Sequence, residues 1–263
     1  MKLFEIVAHR GAHDKVPENT IQAFQQALEQ GADAVELDVR LTADSVPVVY
    51  HYFYLNEITA CSGPIFRYTL SQLQNVRFFD KGDRSSDFRI PTLCEVLETF
   101  SGKIGLEIEI KGPELESAEI IAKVLCKYRH LWETMEATSY EPMLLSEVGR
   151  HCSGLATDLL IPRSEGWMKP DVIAYLAIHR SRQAHARAVH LHPSQLSHEV
   201  VSDIRRSGIE VHAWDVNDTN ALNTVLELNI PRIDTDRLQQ MLDFRRCLGN
   251  PFQSRESDGA FVR

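Results

Sequence analysis

The chain has 263 residues, enough for one large α/β barrel or two small domains. Hydrophobic residues make up 43% and charged residues 25%, the balance of a globular chain with a sizeable core, and no apolar run approaches the roughly 20 residues of a membrane span. Its 28 lysines and arginines against 37 acidic residues leave a net charge of −9, which excludes the basic footprint of a general nucleic-acid binder and disfavours adhesion to anionic membranes.

Taken in chain order, strand and helix patterns alternate. Residues 3–8 read as a strand, followed at once by His9-Arg10-Gly11, and 20–30 as a helix with Ile21, Phe24, Ala27 and Leu28 on one face, ended by Gly31. Residues 34–39 form the next strand, carrying Glu36 and Asp38, and 46–50 extend that layer up to His51. The stretch 52–90 is long and irregular, with a short helix at 71–76; it is too long for a connector and predicts a capping insertion. A helix at 92–100, a strand at 104–110 and an amphipathic helix at 115–131 come next. After them 136–139, 155–161, 188–191, 210–216 and 232–235 read as strands. The segment around Leu144 and Val148, then 171–184, 198–206, 221–228 and 238–246, read as the helices between and after them. The segment 249–263 is polar and reads as a loose tail. Eight strand–helix units predict a single (β/α)8 TIM barrel over 1–248, with a long loop insertion after the second strand. The rival doubly wound sheet would need a glycine-rich phosphate loop after the first strand, and only Gly11 stands there.

Barrel active sites lie where strands end, so position weighs as much as residue type. Glu36 and Asp38 are two apart on a strand and share a face, as do Glu107, Glu109 and Lys111. A single carboxylate pair is ordinarily a salt-bridged strand surface; several pairs at the same end of different strands would repel one another unless a cation bound them. Oxygen-only ligation points to Mg²⁺ or Ca²⁺. His9 and His51 are the candidates for proton transfer, and Arg10 and Lys111 for holding phosphate oxygens. Cys61, Cys94, Cys126, Cys152 and Cys247 are widely spaced without a C-x-x-C pair, which reads as free thiols in a reducing compartment. With no apolar leader at the N-terminus, the expected location is cytoplasmic.

His9-Arg10-Gly11, Pro17-Glu18-Asn19-Thr20, Glu36-Leu37-Asp38 and Glu107-Ile108-Glu109-Ile110-Lys111, in this order, resemble the motifs of the glycerophosphodiester phosphodiesterase family. Trp214-Asp215-Val216-Asn217 and Asp234-Thr235-Asp236 look like its later ones. The resemblance implies one divalent cation, Mg²⁺ or Ca²⁺, held by Glu36, Asp38 and Glu109. It implies general acid–base roles for His9 and His51, phosphate binding by Arg10 and Lys111, and a substrate pocket lined by Trp214. The implied reaction hydrolyses small-molecule glycerophosphodiesters to glycerol 3-phosphate and an alcohol, through a cyclic phosphate formed by the substrate's own hydroxyl. The chain departs from the family pattern in three places. Tyr52 stands where an aspartate usually follows the second histidine, Glu107 replaces a common asparagine, and Asp215 replaces a threonine. On an extended strand Tyr52 is expected to face away from His51, Asp215 to face away from Trp214, and Glu107 to add a negative charge near the cation.

Two rivals stand beside this reading. One is lysophospholipase D-like activity on single-chain lipids, suggested by Phe53, Tyr54 and Phe66 in the long loop. The other is a non-catalytic binding protein on the same barrel, suggested by Tyr52. Elsewhere the expectations are plain. His190 and His192 read as pocket lining or packing rather than metal ligands, Arg180, Arg182, His185 and Arg187 as a solvated basic face, and Trp132 and Trp167 as packing or loop contacts.

Overall fold

The computed structural model describes residues 3–79 and 88–249. The expected tail beyond Gly249, and residues 80–87 of the expected insertion, lie outside the described residues.

Eight parallel strands close into a barrel: β1 (Glu5–Ala8), β2 (Ala34–Leu41), β4 (Gly105–Ile110), β5 (Met135–Ser139), β6 (Ala156–Leu160), β7 (Ala188–Leu191), β8 (Glu210–Ala213) and β9 (Arg232–Thr235). β1 pairs with both β9 and β2, which closes the ring. Helices alternate with the strands: α1 (Ile21–Gln30), α2 (Leu70–Leu73), α3 (Leu93–Phe100), α4 (Leu115–Leu125), α5 (Pro142–His151), α6 (Pro170–Ala184), α7 (His198–Arg206), α8 (Thr219–Glu227) and α9 (Leu238–Gly249). Helix starts follow local chemistry. The Thr20 side chain accepts from the Ala23 amide at the start of α1, and Thr92 with Glu95 forms a reciprocal capping box at α3. The predicted helix 115–131 gives way after Leu125 to a 3₁₀ stretch, Cys126–Thr134, with a kink at Tyr128.

The segment predicted to extend the second strand is β3 (Pro47–Val49), which runs antiparallel to β2 outside the ring. It pairs with Val39, Arg40 and Leu41, the C-terminal end of β2, and so stands over the barrel mouth. The described part of the stretch after it has an apolar core of its own, with Val48, Tyr50, Leu55, Ile65, Leu73 and Phe78 all buried. Burial of this kind contributes about 25 cal/mol per Å² of apolar surface, which suffices to seat such a cap.

The main apolar core lies between strands and helices, with Phe24 and Phe100 edge to face at 5.9 Å. The lumen is different. Contacts between strands that are not neighbours must cross it, and they are ionic. Arg232 of β9 reaches Glu107 of β4 at 3.3 Å and also pairs with Glu136 of β5. His190 of β7 stands 3.6 Å from Glu107 and 3.5 Å from Asp234 of β9. Three expectations gain detail here. Glu107 meets Arg232 in this lower cluster, one lumen-facing position below Glu109, and its charge is still felt at Glu36. His190 is fully buried in the lumen, the packing alternative and not the pocket-lining one. Arg187 is exposed as expected, and its guanidinium also donates to Asp158 and Glu136, each at 2.7 Å.

Candidate active site

The C-terminal ends of β1, β2 and β4, with the β2–β3 hairpin, bring most of the predicted residues together. Just past β1, Arg10 and Gly11 both take positive φ, 56° and 81°. At Gly11 the turn presses on α1 so closely that a Cβ would meet the Ala23 carbonyl carbon at 2.7 Å, which only glycine avoids. This turn aims the Arg10 amide at Glu36 (3.0 Å) and its guanidinium at Glu18 (2.8 Å) and Asp38 (3.2 Å).

Glu36, Asp38 and Glu109 are all buried, and one oxygen from each lies within 4.8 Å of the others. Register explains this, because Glu36 and Asp38 alternate onto the lumen face and Asp38 pairs in register with Glu109. Lys111 bridges Glu109 at 2.8 Å and Asp38 at 3.2 Å, while Asn19 donates to Asp38 at 2.7 Å. Burial and the neighbouring Asp38 and Glu109 charges push the Glu36 carboxyl well above its usual range. Burial likewise raises Glu109, although Lys111 opposes it. Asp38 goes the other way: burial alone would raise it, but Lys111 and Arg10 hold it below the usual carboxylate range. The Oε1 atom of Glu36 is buried and finds no hydrogen-bond partner. A cluster of oxygen donors with two carboxyls forced upward and one buried oxygen unpartnered fits a hard divalent cation.

The two histidines flank this cluster. His9 holds Asp236 through Nδ1 at 2.7 Å and turns Nε2 toward Glu36 at 4.0 Å. Burial would lower the His9 pKa, but the bond to Asp236 together with the charges of Asp236 and Asp38 outweighs it, and the net shift is upward. His51 lies immediately after β3. Burial pushes its pKa down to about 3, with the pull of Asp38 overcome, and its Nδ1 has no partner. Tyr52 does not face away. Its ring meets His51 edge to face at 4.7 Å and lies under the Arg10 guanidinium at 5.9 Å. Strand alternation ends at Val49, so it does not govern residue 52.

Trp214 stands just past β8 and donates to the Ile161 carbonyl at 3.2 Å. Tyr140 links it to the ion cluster, with its ring 6.5 Å from Trp214 and 6.0 Å from the Lys111 ammonium. Asp215 takes a positive φ of 62° and pairs with Arg163 and, at 3.5 Å, with His192 at the rim. Strand alternation therefore does not set the direction of Asp215 either, since β8 ends at Ala213. Sequence reasoning gave no role to Glu18, Asn19, Tyr140 or Asp236. A signal existed for two of them. Asn19 belongs to the first long loop and Asp236 to the end of the last strand, both at the mouth.

The comparisons agree with this geometry. The model of the glycerophosphoryl diester phosphodiesterase family matches residues 9–240. A glycerophosphodiester phosphodiesterase of Caldanaerobacter subterraneus is 29% identical over 250 residues, covering 92% of this chain and 97% of that protein. One from Bacillus altitudinis is 31% identical over 246 residues, covering 88% and 94%. An Oleispira antarctica phosphodiesterase solved in complex with the product sn-glycerol-3-phosphate superposes with a TM-score of 0.79 at 26% identity, covering 91% of this chain and 95% of that one. With a family match spanning nearly the whole barrel and its motif residues gathered at one mouth, the chain belongs to the glycerophosphoryl diester phosphodiesterase family.

Proposed function

We propose that the chain hydrolyses glycerophosphodiesters to glycerol 3-phosphate and an alcohol, with Glu36, Asp38 and Glu109 holding one divalent cation, Mg²⁺ or Ca²⁺. The observation that carries this reading is the buried carboxylate trio with the unpartnered Glu36 oxygen, flanked by two cations and two imidazoles of opposite pKa shift. When bound, the cation supplies positive charge to the phosphate oxygens and keeps the three carboxylates ionised.

The chain's own residues account for the rest. Arg10 and Lys111 are anchored by carboxylates and present fixed positive charge to a phosphate at the mouth. His51, held as the free base, accepts the proton of the substrate's hydroxyl adjacent to the phosphodiester. That oxygen bonds to phosphorus, the bond to the leaving alcohol breaks, and His9 gives the alcohol its proton. Water then opens the cyclic phosphate with the two imidazoles exchanging roles, so no serine or cysteine nucleophile is required. Trp214 and Tyr140 offer an aromatic wall for the glycerol moiety.

The acid role of His9 has a pH signature. Asp236 raises the His9 pKa above its ordinary value of about 6.5, so kcat/KM falls on the alkaline side as His9 loses its proton. Asp236→Asn removes the raising partner, and the alkaline limb of the pH–rate profile is expected to move to lower pH. A limb that stays in place means that another group titrates there.

A second reading, activity on single-chain lipids, is favoured by the exposed Phe53, Tyr54, Phe66 and Phe79 in the cap. A product assay on glycerophosphocholine, glycerophosphoethanolamine and lysophosphatidylcholine, with and without EDTA, separates the readings. Metal-dependent turnover of the first two alone supports the proposal, and turnover of the third shifts it to lipids. No turnover of any, with cation restored, leaves a binding protein.

A further inference from the structure

Beneath the mouth, the lumen contains a second set of donors. Asp158 of β6, His190 of β7 and His212 of β8 are all buried, and each offers one atom to a common centre. His212 Nδ1 is 3.1 Å from His190 Nε2, His190 Nε2 is 3.5 Å from Asp158 Oδ2, and His212 Nδ1 is 3.6 Å from Asp158 Oδ2. Metal–ligand bonds of about 2.0–2.1 Å in tetrahedral geometry separate the ligands by about 3.3–3.4 Å, so the three edges match a metal's coordination triangle. Hydrogen bonding accounts for the His212–His190 edge and, at its long limit, the His190–Asp158 edge, but not for the His212–Asp158 edge.

Three further observations point to the same place. The first is charge. Among the described residues, Glu107, Glu136, Asp158 and Asp234 are buried in this layer, and the guanidiniums that reach them are those of Arg187 and Arg232. Four carboxylates against two guanidiniums leave this layer short of positive charge; protons on His190 and Glu107, both held upward by their surroundings, can meet that need, and a divalent cation would displace them. The second is the arrangement behind the imidazoles. Glu107 and Asp234 stand at 3.6 and 3.5 Å from His190 Nδ1, and Glu210 at 3.5 Å from His212 Nε2. Carboxylates beside the far nitrogens favour protons there, which leaves the inner nitrogens for the centre. The third is that buried polar atoms here are left unpartnered: Asp234 Oδ1, and the hydroxyl of Thr138, which pairs in register with Asp158. Arg187 already bonds both oxygens of Asp158, but a carboxylate has about four lone-pair sites and Oδ2 retains one. A cavity of about 830 Å³ opens at the N-terminal face, lined by Glu136, Arg187 and Arg232 of the same ionic layer.

We propose that Asp158, His190 and His212 form a second, structural metal site in the lower lumen, selective for Zn²⁺ or a cation of its class. Two imidazoles and one carboxylate suit a borderline cation, whereas the oxygen-only mouth suits a hard one. The site ties β6, β7 and β8 together from inside and does not depend on the function assigned to the mouth.

Cobalt(II) is the probe. Wild-type protein stripped by a chelator and held in excess Mg²⁺ is expected to take up one equivalent of Co²⁺ with the intense visible absorption of a tetrahedral site, and Zn²⁺ is expected to abolish that band. Glu36→Gln, at the mouth, should keep the band, and His212→Asn or His190→Gln should lose it. If either of those two variants fails to fold, X-ray absorption of zinc-loaded wild type decides, with two imidazoles in the shell expected. Weak, octahedral absorption from wild type, a band that survives in folded His212→Asn, a band lost in folded Glu36→Gln, or a zinc shell without imidazole would each overturn the proposal.

Discussion

His51→Ala is expected to lower kcat by about 10²–10⁴-fold, the usual worth of one positioned proton-transfer group, while leaving the fold intact. The fold should survive because His51 follows β3 outside the ring and its Nδ1 has no partner to lose. His9→Ala should cost a similar factor. The double variant should lose less than the product of the two, because both imidazoles serve one reaction coordinate. Rapid-quench or steady-state rates, with circular dichroism as the folding control, check this. Full activity in His51→Ala would remove that residue from the mechanism and leave its burial beside Tyr52 as a packing feature.

The other large effect concerns the cation. Glu36→Gln keeps the size of the side chain and removes one charge from a trio that burial already strains. Activity at low Mg²⁺ or Ca²⁺ is expected to vanish and to return in part at high concentration, since two carboxylate ligands and one amide oxygen remain. A metal titration of rate, wild type against variant, gives the answer. Unchanged metal dependence would show that the cation, if needed at all, binds elsewhere.

The barrel and the mouth were legible because both rest on short-range regularities. Apolar strands alternating with amphipathic helices imply the ring, and two-residue spacing puts Glu36 with Asp38 and Glu109 with Lys111 on one face. What failed depends on closure. Glu107 shares that spacing, yet its partners Arg232 and His190 come from strands across the lumen, which no local pattern reveals. Arg187 is exposed, as its basic neighbours suggested, but the carboxylates that it pairs with belong to β5 and β6, which the local sequence does not show. Tyr52 failed for the opposite reason, since alternation was extended past the end of β3, where it no longer holds.

The polar lumen also bears on how the chain can be made. Its last strand carries Arg232 and Asp234, and Asp236 follows directly after it. Arg232 pairs with carboxylates on β1, β4 and β5, and among the described residues Glu107 of β4 meets no guanidinium until β9 arrives. During synthesis, a chain that has released everything up to α8 still has reason to keep its future interior wet, because drying it would strand unpaired charge. Ring closure and the expulsion of water are thereby coupled to the arrival of the final strand, which makes a truncated product open and hydrated instead of a slightly weakened barrel.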